Sequence, residues 1–94
     1  MLAVLVNPGL PAATTKANMI EELDDVVLSV DLPVKGLARG DLGTVVLVHE
    51  GGAGYEVEFT ALDGETLAIV TLPARHVRPA RHHEIAHVRE LAPA

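Results

Sequence analysis

The chain has no cysteine and no tryptophan, and its 94 residues include one Tyr and one Phe. Without Cys there is no disulfide framework, no thiolate metal site, no iron–sulfur cluster and no cysteine nucleophile. With so few aromatics, the hydrophobic 49% must build its core from Val, Leu, Ile and Ala. Basic residues are also scarce: seven Lys and Arg stand against thirteen Asp and Glu, a net charge of −6. That balance opposes general affinity for nucleic acid or an anionic membrane, both of which need surplus positive charge. Nor does any apolar run approach the ~18 residues of a membrane span. Met1–Leu10 is apolar, but it lacks a basic flank and is cut short by Asn7, Pro8 and Gly9. A secretory signal is therefore not expected, and the protein reads as cytoplasmic.

The length allows one domain. Residues 1–18 differ from the rest, being rich in Ala, Pro and Thr with Lys16 as their one charge. They read either as a flexible arm or as an extension upstream of a natural start at Met19. The second reading is preferred, because the dense charged pattern begins directly after Met19.

From Leu23 the pattern is β. Asp25–Val30 is short and β-branched, and Asp31-Leu32-Pro33 ends it. A long loop, Val34–Asp41, leads into a second, most apolar strand at Gly43–Glu50. Gly51-Gly52-Ala53-Gly54 predicts a turn. Tyr55–Phe59 alternates, with Tyr55, Val57 and Phe59 inward and Glu56 and Glu58 outward, as a half-buried antiparallel strand requires. Asp63-Gly64 signals a hairpin before a fourth strand at Thr66–Leu72. Pro73 stops that strand, and Ala74–Val77 suits a single 3₁₀ turn. The segment Ile85–Arg89 is read as a closing fifth strand or an irregular cover over one barrel end. The expectation is an all-β small barrel of about five antiparallel strands over residues 19–79, with a tail over 80–94 packing upon it. Its predicted core is Val26, Leu28, Leu37, Val45, Leu47, Tyr55, Val57, Phe59, Leu67, Ile69 and Val77.

Taken in order, Glu22-Leu23-Asp24-Asp25-Val26-Val27-Leu28, Asp31-Leu32-Pro33, Gly36-Leu37, Gly40-Asp41-Leu42-Gly43-Thr44-Val45-Val46, Tyr55-Glu56-Val57-Glu58-Phe59, Gly64-Glu65-Thr66 and Val70-Thr71-Leu72 resemble a family of small bacterial proteins known only as a domain of unknown function. The resemblance runs from Met19 to about Pro79. It implies an SH3-like barrel, no established activity and no catalytic residues. Members of that family typically begin where Met19 stands. They are small stand-alone proteins encoded beside other small proteins, an organisation similar to that of toxin–antitoxin pairs.

One chemical motif is present: His83-Glu84-Ile85-Ala86-His87 matches H-E-x-x-H. On a helix, the i and i+4 spacing would place both imidazoles on one face for zinc. Against this stand Pro79 before the motif, Pro93 after it, and the β character of the chain. A protease is not expected, and metal binding by His83 and His87, with His76 and His82 nearby, is kept as an alternative. Ser29 is the one serine and sits within a strand with no acid–base partner at useful spacing. No enzyme activity and no cofactor are expected.

Charge distribution points instead to a protein partner. Residues 20–70 hold eleven acids against Lys35 and Arg39, whereas the tail carries Arg75, Arg78, Arg81 and Arg89 against Glu84 and Glu90. The simplest consequence is a tail folded back on its own acidic barrel. The expected function is a small acidic protein-binding module, an antitoxin-like or accessory partner of a co-encoded protein. Its candidate surface comprises Lys35, Arg39 and Asp41 in the long loop with Glu56 and Glu58 on the exposed strand face. Self-association through Met1–Val6 or a thin barrel edge is a further alternative.

Overall fold

A computed structural model describes residues 19–91. The expected arm or extension at residues 1–18 lies outside the described residues, as does its proposed role in self-association. Within them the chain is all-β: β1 (Asp25–Leu28), β2 (Leu42–His49), β3 (Gly54–Thr60), β4 (Thr66–Pro73) and β5 (Val77–Pro79). Two 3₁₀ turns complete it, at Pro33–Lys35 in the long loop and at Ala74–His76 between β4 and β5. All five strands form one antiparallel sheet in the order β4-β3-β2-β1-β5. This is the small, all-β, barrel-like domain anticipated from the strand and turn pattern. Among the described residues no helix is long and apolar enough to cross a membrane.

β2 joins the two halves of the barrel. Its first residues pair with β1, Gly43 opposite Val26, and the strand then runs along β3 from Thr44 opposite Glu58 to His49 opposite Gly54. A bulge between Val45 and Leu47 bends it. One extra residue on one strand of a pair adds local twist and lets the strand turn between two directions. The core beneath is small: Ile20, Val26, Leu28, Leu37, Val45, Tyr55, Val57, Phe59, Leu72 and Val77.

Three predicted core residues lie on the surface instead. Leu47 is 41% exposed, Leu67 38% and Ile69 56%. The bulge accounts for Leu47: beyond it the inward phase changes from odd to even residues, so Val48 faces Tyr55 while Leu47 sits opposite Glu56. A one-residue shift of phase moves a strand's whole apolar set to the other face. In β4 both faces are apolar, so alternation could not choose between them. The observed register sets Ala68, Val70 and Leu72 opposite the inward Phe59, Val57 and Tyr55. Leu67 and Ile69 therefore point out.

Two strand assignments also change. β1 ends at Leu28, two residues before the predicted end. The fifth strand is Val77–Pro79, paired with β1, and residues 85–89 have no regular structure. Val77 earns this place by its burial, opposite Leu28. Pro79 lacks an N–H and is tolerated because β5 is an edge strand.

Two places depend on glycine. At the β2–β3 turn, Gly51 and Gly52 take φ of 67° and 112°, a region most side chains avoid. At Gly43 the constraint is space. A Cβ there would stand 2.5 Å from Val57 Cγ1, 2.9 Å from Phe59 Cε1 and 3.1 Å from the Glu58 carbonyl oxygen. Replacing Gly43 with Ala should therefore overpack the centre of the barrel. Urea denaturation of Gly43→Ala is expected to show a loss of about 1–3 kcal/mol relative to the parent chain.

Candidate functional site

The long loop ends in a tightly held carboxylate. Asp41 Oδ2 accepts from the Ala38 amide at 2.8 Å, and the Asp41 amide donates to the Ala38 carbonyl at 3.0 Å. The backbone locks the same residue to β1, because the Leu28 amide donates to the Asp41 carbonyl at 2.9 Å. An Asp suits this position because its short side chain can bond its own loop while leaving a second oxygen free. That oxygen, with Oδ2, receives a guanidinium from the tail. Arg89 Nε donates to Asp41 Oδ1 at 2.8 Å and Nη2 to Oδ2 at 2.6 Å, while Nη2 also donates to the Gly36 carbonyl at 3.1 Å. The two-pronged fit is the geometry that favours Arg over Lys.

A second fork holds the root of the tail. Arg78 Nη1 and Nη2 donate to Glu84 Oε1 and Oε2 at 3.0 and 2.7 Å, and the Arg81 amide donates to Oε1 at 2.7 Å. Between the forks the tail is irregular and exposed. Ile85 and Val88 are 95% and 70% exposed, so their burial does not hold it down. The tail forms a strap attached by charge.

A cavity of about 690 Å³ lies beneath the strap. Leu37, Leu42, Phe59 and Leu62 give it an apolar floor, Asp25, Asp41 and Glu58 give it acidic walls, and Ala86, His87 and Val88 roof it. A neighbouring space of about 440 Å³ shares Asp25, Asp41, Leu42, Ala86 and His87 with it, so the strap straddles one groove. Arg89 neutralises Asp41 and Thr66 Oγ1 donates to Glu58 at 2.6 Å, but no ion pair reaches Asp25 or Glu58 among the described residues. The groove keeps a net negative charge even when strapped.

Of the residues singled out from sequence, the structure brings Asp41 and Glu58 together in this groove. Glu56 stands apart, its Oε2 3.4 Å from His49 Nε2. That contact is an ion pair only when the imidazole is protonated, and Nε2 has no hydrogen-bond partner among the described residues. Lys35, in the 3₁₀ turn, and Arg39, whose amide donates to Asp31 Oδ1 at 2.8 Å, lie on the loop outside the groove lining. His83 and His87 are not on a helix, and among the described residues no three His, Cys, Asp or Glu side chains gather to hold an ion. Asp25, Leu62 and the pairing of Arg89 with Asp41 were not singled out from sequence. The sequence signals were a Leu set directly before the Asp63-Gly64 turn and the reversal of charge between body and tail.

The chain belongs to the family described as Domain of unknown function (DUF4926), whose model matches residues 22–79. It is also similar to a curated protein of Neisseria flavescens, printed as "Probable peptidoglycan D,D-transpeptidase PenA", with 34% identity over 70 residues. That match covers 63% of this chain and 18% of the relative, so the chain spans less than a fifth of that protein's length. No solved structure matches the chain.

Both forks depend on ionised carboxylates. The Arg89 hydrogen bond, with the Ala38 amide and the Arg89 charge, holds the Asp41 carboxyl below its usual range against a burial that pushes it up. The Arg78 hydrogen bond, followed by that of the Arg81 amide, takes Glu84 from 4.5 down to about 2. Groups depressed in this way stabilise the strapped form above their free pKa and lose that contribution as pH falls through the depressed value. Backbone ¹⁵N relaxation of residues 81–91 should thus be unchanged from neutral pH down to about 4.5, then report progressive release of the strap towards pH 2.

Proposed function

We propose that this domain is a non-enzymatic, cytoplasmic protein-binding module that seats an extended, Arg-bearing segment of another protein in its acidic groove. The observation that carries this reading is the Asp41–Arg89 fork, backed by the Gly36 carbonyl. The groove already receives an irregular, exposed, arginine-bearing segment, and that segment is the chain's own tail. The acidic walls select a cation, the apolar floor accepts the aliphatic stem beside it, and the loop backbone supplies an acceptor. Exposed ion pairs contribute only about 0–1 kcal/mol each, so a partner segment with the same chemistry and better apolar contact can displace the strap.

The D,D-transpeptidase activity printed for the Neisseria protein is not proposed for this chain, which spans less than a fifth of that protein's length. A Ser-x-x-Lys site needs Lys three positions after its serine, and here Ser29 is followed at that distance by Leu32. The Ser29 amide is engaged in the β1–β5 ladder, donating to the His76 carbonyl at 2.8 Å.

A synthetic peptide of residues 78–91 tests the groove in trans. The full-length Arg89→Ala chain, its seat vacated, should bind this peptide by calorimetry, with affinity falling as salt is raised. Adding Asp41→Asn to that variant should weaken binding by about tenfold or more, the equivalent of ~1.4 kcal/mol. Binding that ignores both Asp41 and salt would refute the assignment. Co-purification from the native host at low salt is the test for a natural partner.

A further inference from the structure

The two edges of the sheet are built differently. β5 is three residues long and carries Arg78 and Pro79, two features that discourage another strand from pairing with it. β4 is eight residues long, Thr-Leu-Ala-Ile-Val-Thr-Leu-Pro, with no charged side chain. Long, uncharged, apolar edges are ones that soluble proteins ordinarily blunt, and this one is not blunted before Pro73 at its end.

The phase of its free edge can be read from one bond. The Ala74 amide donates to the Ala53 carbonyl at 3.0 Å, and this pair lies in register with Tyr55–Leu72, Val57–Val70 and Phe59–Ala68. In an antiparallel ladder, hydrogen-bonded pairs alternate with non-bonded ones. The backbone groups of Ala68, Val70 and Leu72 therefore turn towards β3. Those of Ile69 and Thr71 turn to the open side, Leu67 sits at the register shift that follows the Phe59–Ala68 pair, and all three side chains stand on the exposed outer face.

We propose that this edge pairs with β4 of a second copy of the chain, antiparallel about a two-fold axis at Ile69. Ile69 then faces its own equivalent, and Leu67 faces Thr71 of the other copy. The Ile69 pair exchanges two hydrogen bonds, and the Leu67–Thr71 pairs flank it on either side. The neighbouring register, centred on Val70, would oppose Leu67 to Pro73, which has no N–H to give. Charge selects a second copy as the occupant. The chain carries −6, so most of its acidic surface repels a copy of itself. At β4 two copies meet with no charge in contact. The β3 strands bearing Glu56 and Glu58 stay three strand spacings apart, about 14 Å, beyond the ~8 Å screening length at physiological salt. A basic partner strand would find no carboxylate on β4 itself to pair with. Although Leu67 also reaches the groove wall, the pairing does not rest on the strap or on Asp41.

Sedimentation equilibrium of the full chain, from micromolar to sub-millimolar concentration, should show a monomer–dimer equilibrium. Ile69→Lys and Ile69→Glu each place like charges opposite one another across the axis and should each weaken the dimer by about tenfold or more. Mixing the two variants should restore it, because Lys then faces Glu. In the unmodified chain, amide exchange at Ile69 and Thr71 should slow with rising concentration, with no such change at Ala68 and Val70. A chain that stays monomeric, or dimers equally strong in both charged variants, would overturn the proposal. So would protection of those amides that does not depend on concentration, since residues 1–18 of the same chain would then be what covers the edge.

Discussion

The architecture depends on the close approach of β2 to β3 at Gly43. A chain with one Phe and one Tyr has few ways to fill a barrel, and it does so by setting Val57 and the Phe59 ring against a position with no side chain. Packing at interior density leaves no slack for a single added methyl. Because Gly43 is also where β2 passes from β1 to β3, this contact fixes how the two halves of the barrel meet. The residues just before it, Asp41 and Leu42, are thereby delivered to the same end of the barrel as Glu58 and Phe59. The groove is a consequence of the core: its floor is the outer side of the packing at Gly43.

The strap on that groove follows from the separation of charge along the chain. An acidic body and a tail bearing arginines will meet, but long-range attraction does not specify where. Geometry does so, at Asp41. Its side chain is held by the Ala38 amide and its backbone by β1, so the carboxylate has little freedom left to lose when Arg89 arrives. The Arg78–Glu84 fork lines the smaller part of the groove, beside the root of the tail. It bends the tail just after β5, and that bend aims the next residues across the barrel end. The exposure of Ile85 and Val88 shows that the strap is held without their burial. A segment held chiefly by such forks loses their contribution when the carboxylates are protonated.

Much of the barrel was legible because its signals are local. Tyr55–Phe59 alternates without ambiguity, the glycine-rich turn and Asp63-Gly64 sit where hairpins turn, and Pro73 closes β4. The misplaced residues lie where local pattern is silent. Val46 and Leu47 are both apolar, so nothing in their order announces a bulge. In β4 the choice between Leu67 with Ile69 and Ala68 with Val70 is made by the partner strand, across a register that alternation does not contain. The site was half legible for a similar reason. Asp41 and Glu58 stood out by type, but their meeting across the groove, and the arrival of Arg89 from 48 residues away, are products of the fold.

The misreading of β4 also bears on what this surface is for. A strand whose two faces are both apolar looks like a buried strand, and in an isolated barrel one of those faces is left uncovered. Leu67 and Ile69 are not part of the core, and their exposed aliphatic area adds little to the barrel's own stability. Glu56 and Glu58 on the neighbouring strand keep the outer face wet, and the carboxylate load of the body keeps it from open-ended association. What remains is a charge-free stripe one strand wide, bordered by acids. Such a stripe is too narrow to bind by area, but it has backbone groups to offer along its whole length. The acidic border permits close approach only to a surface that is itself uncharged at the line of contact. The constraint that made this strand hard to read, apolar character on both faces, is therefore the one that suits it to contact outside its own barrel.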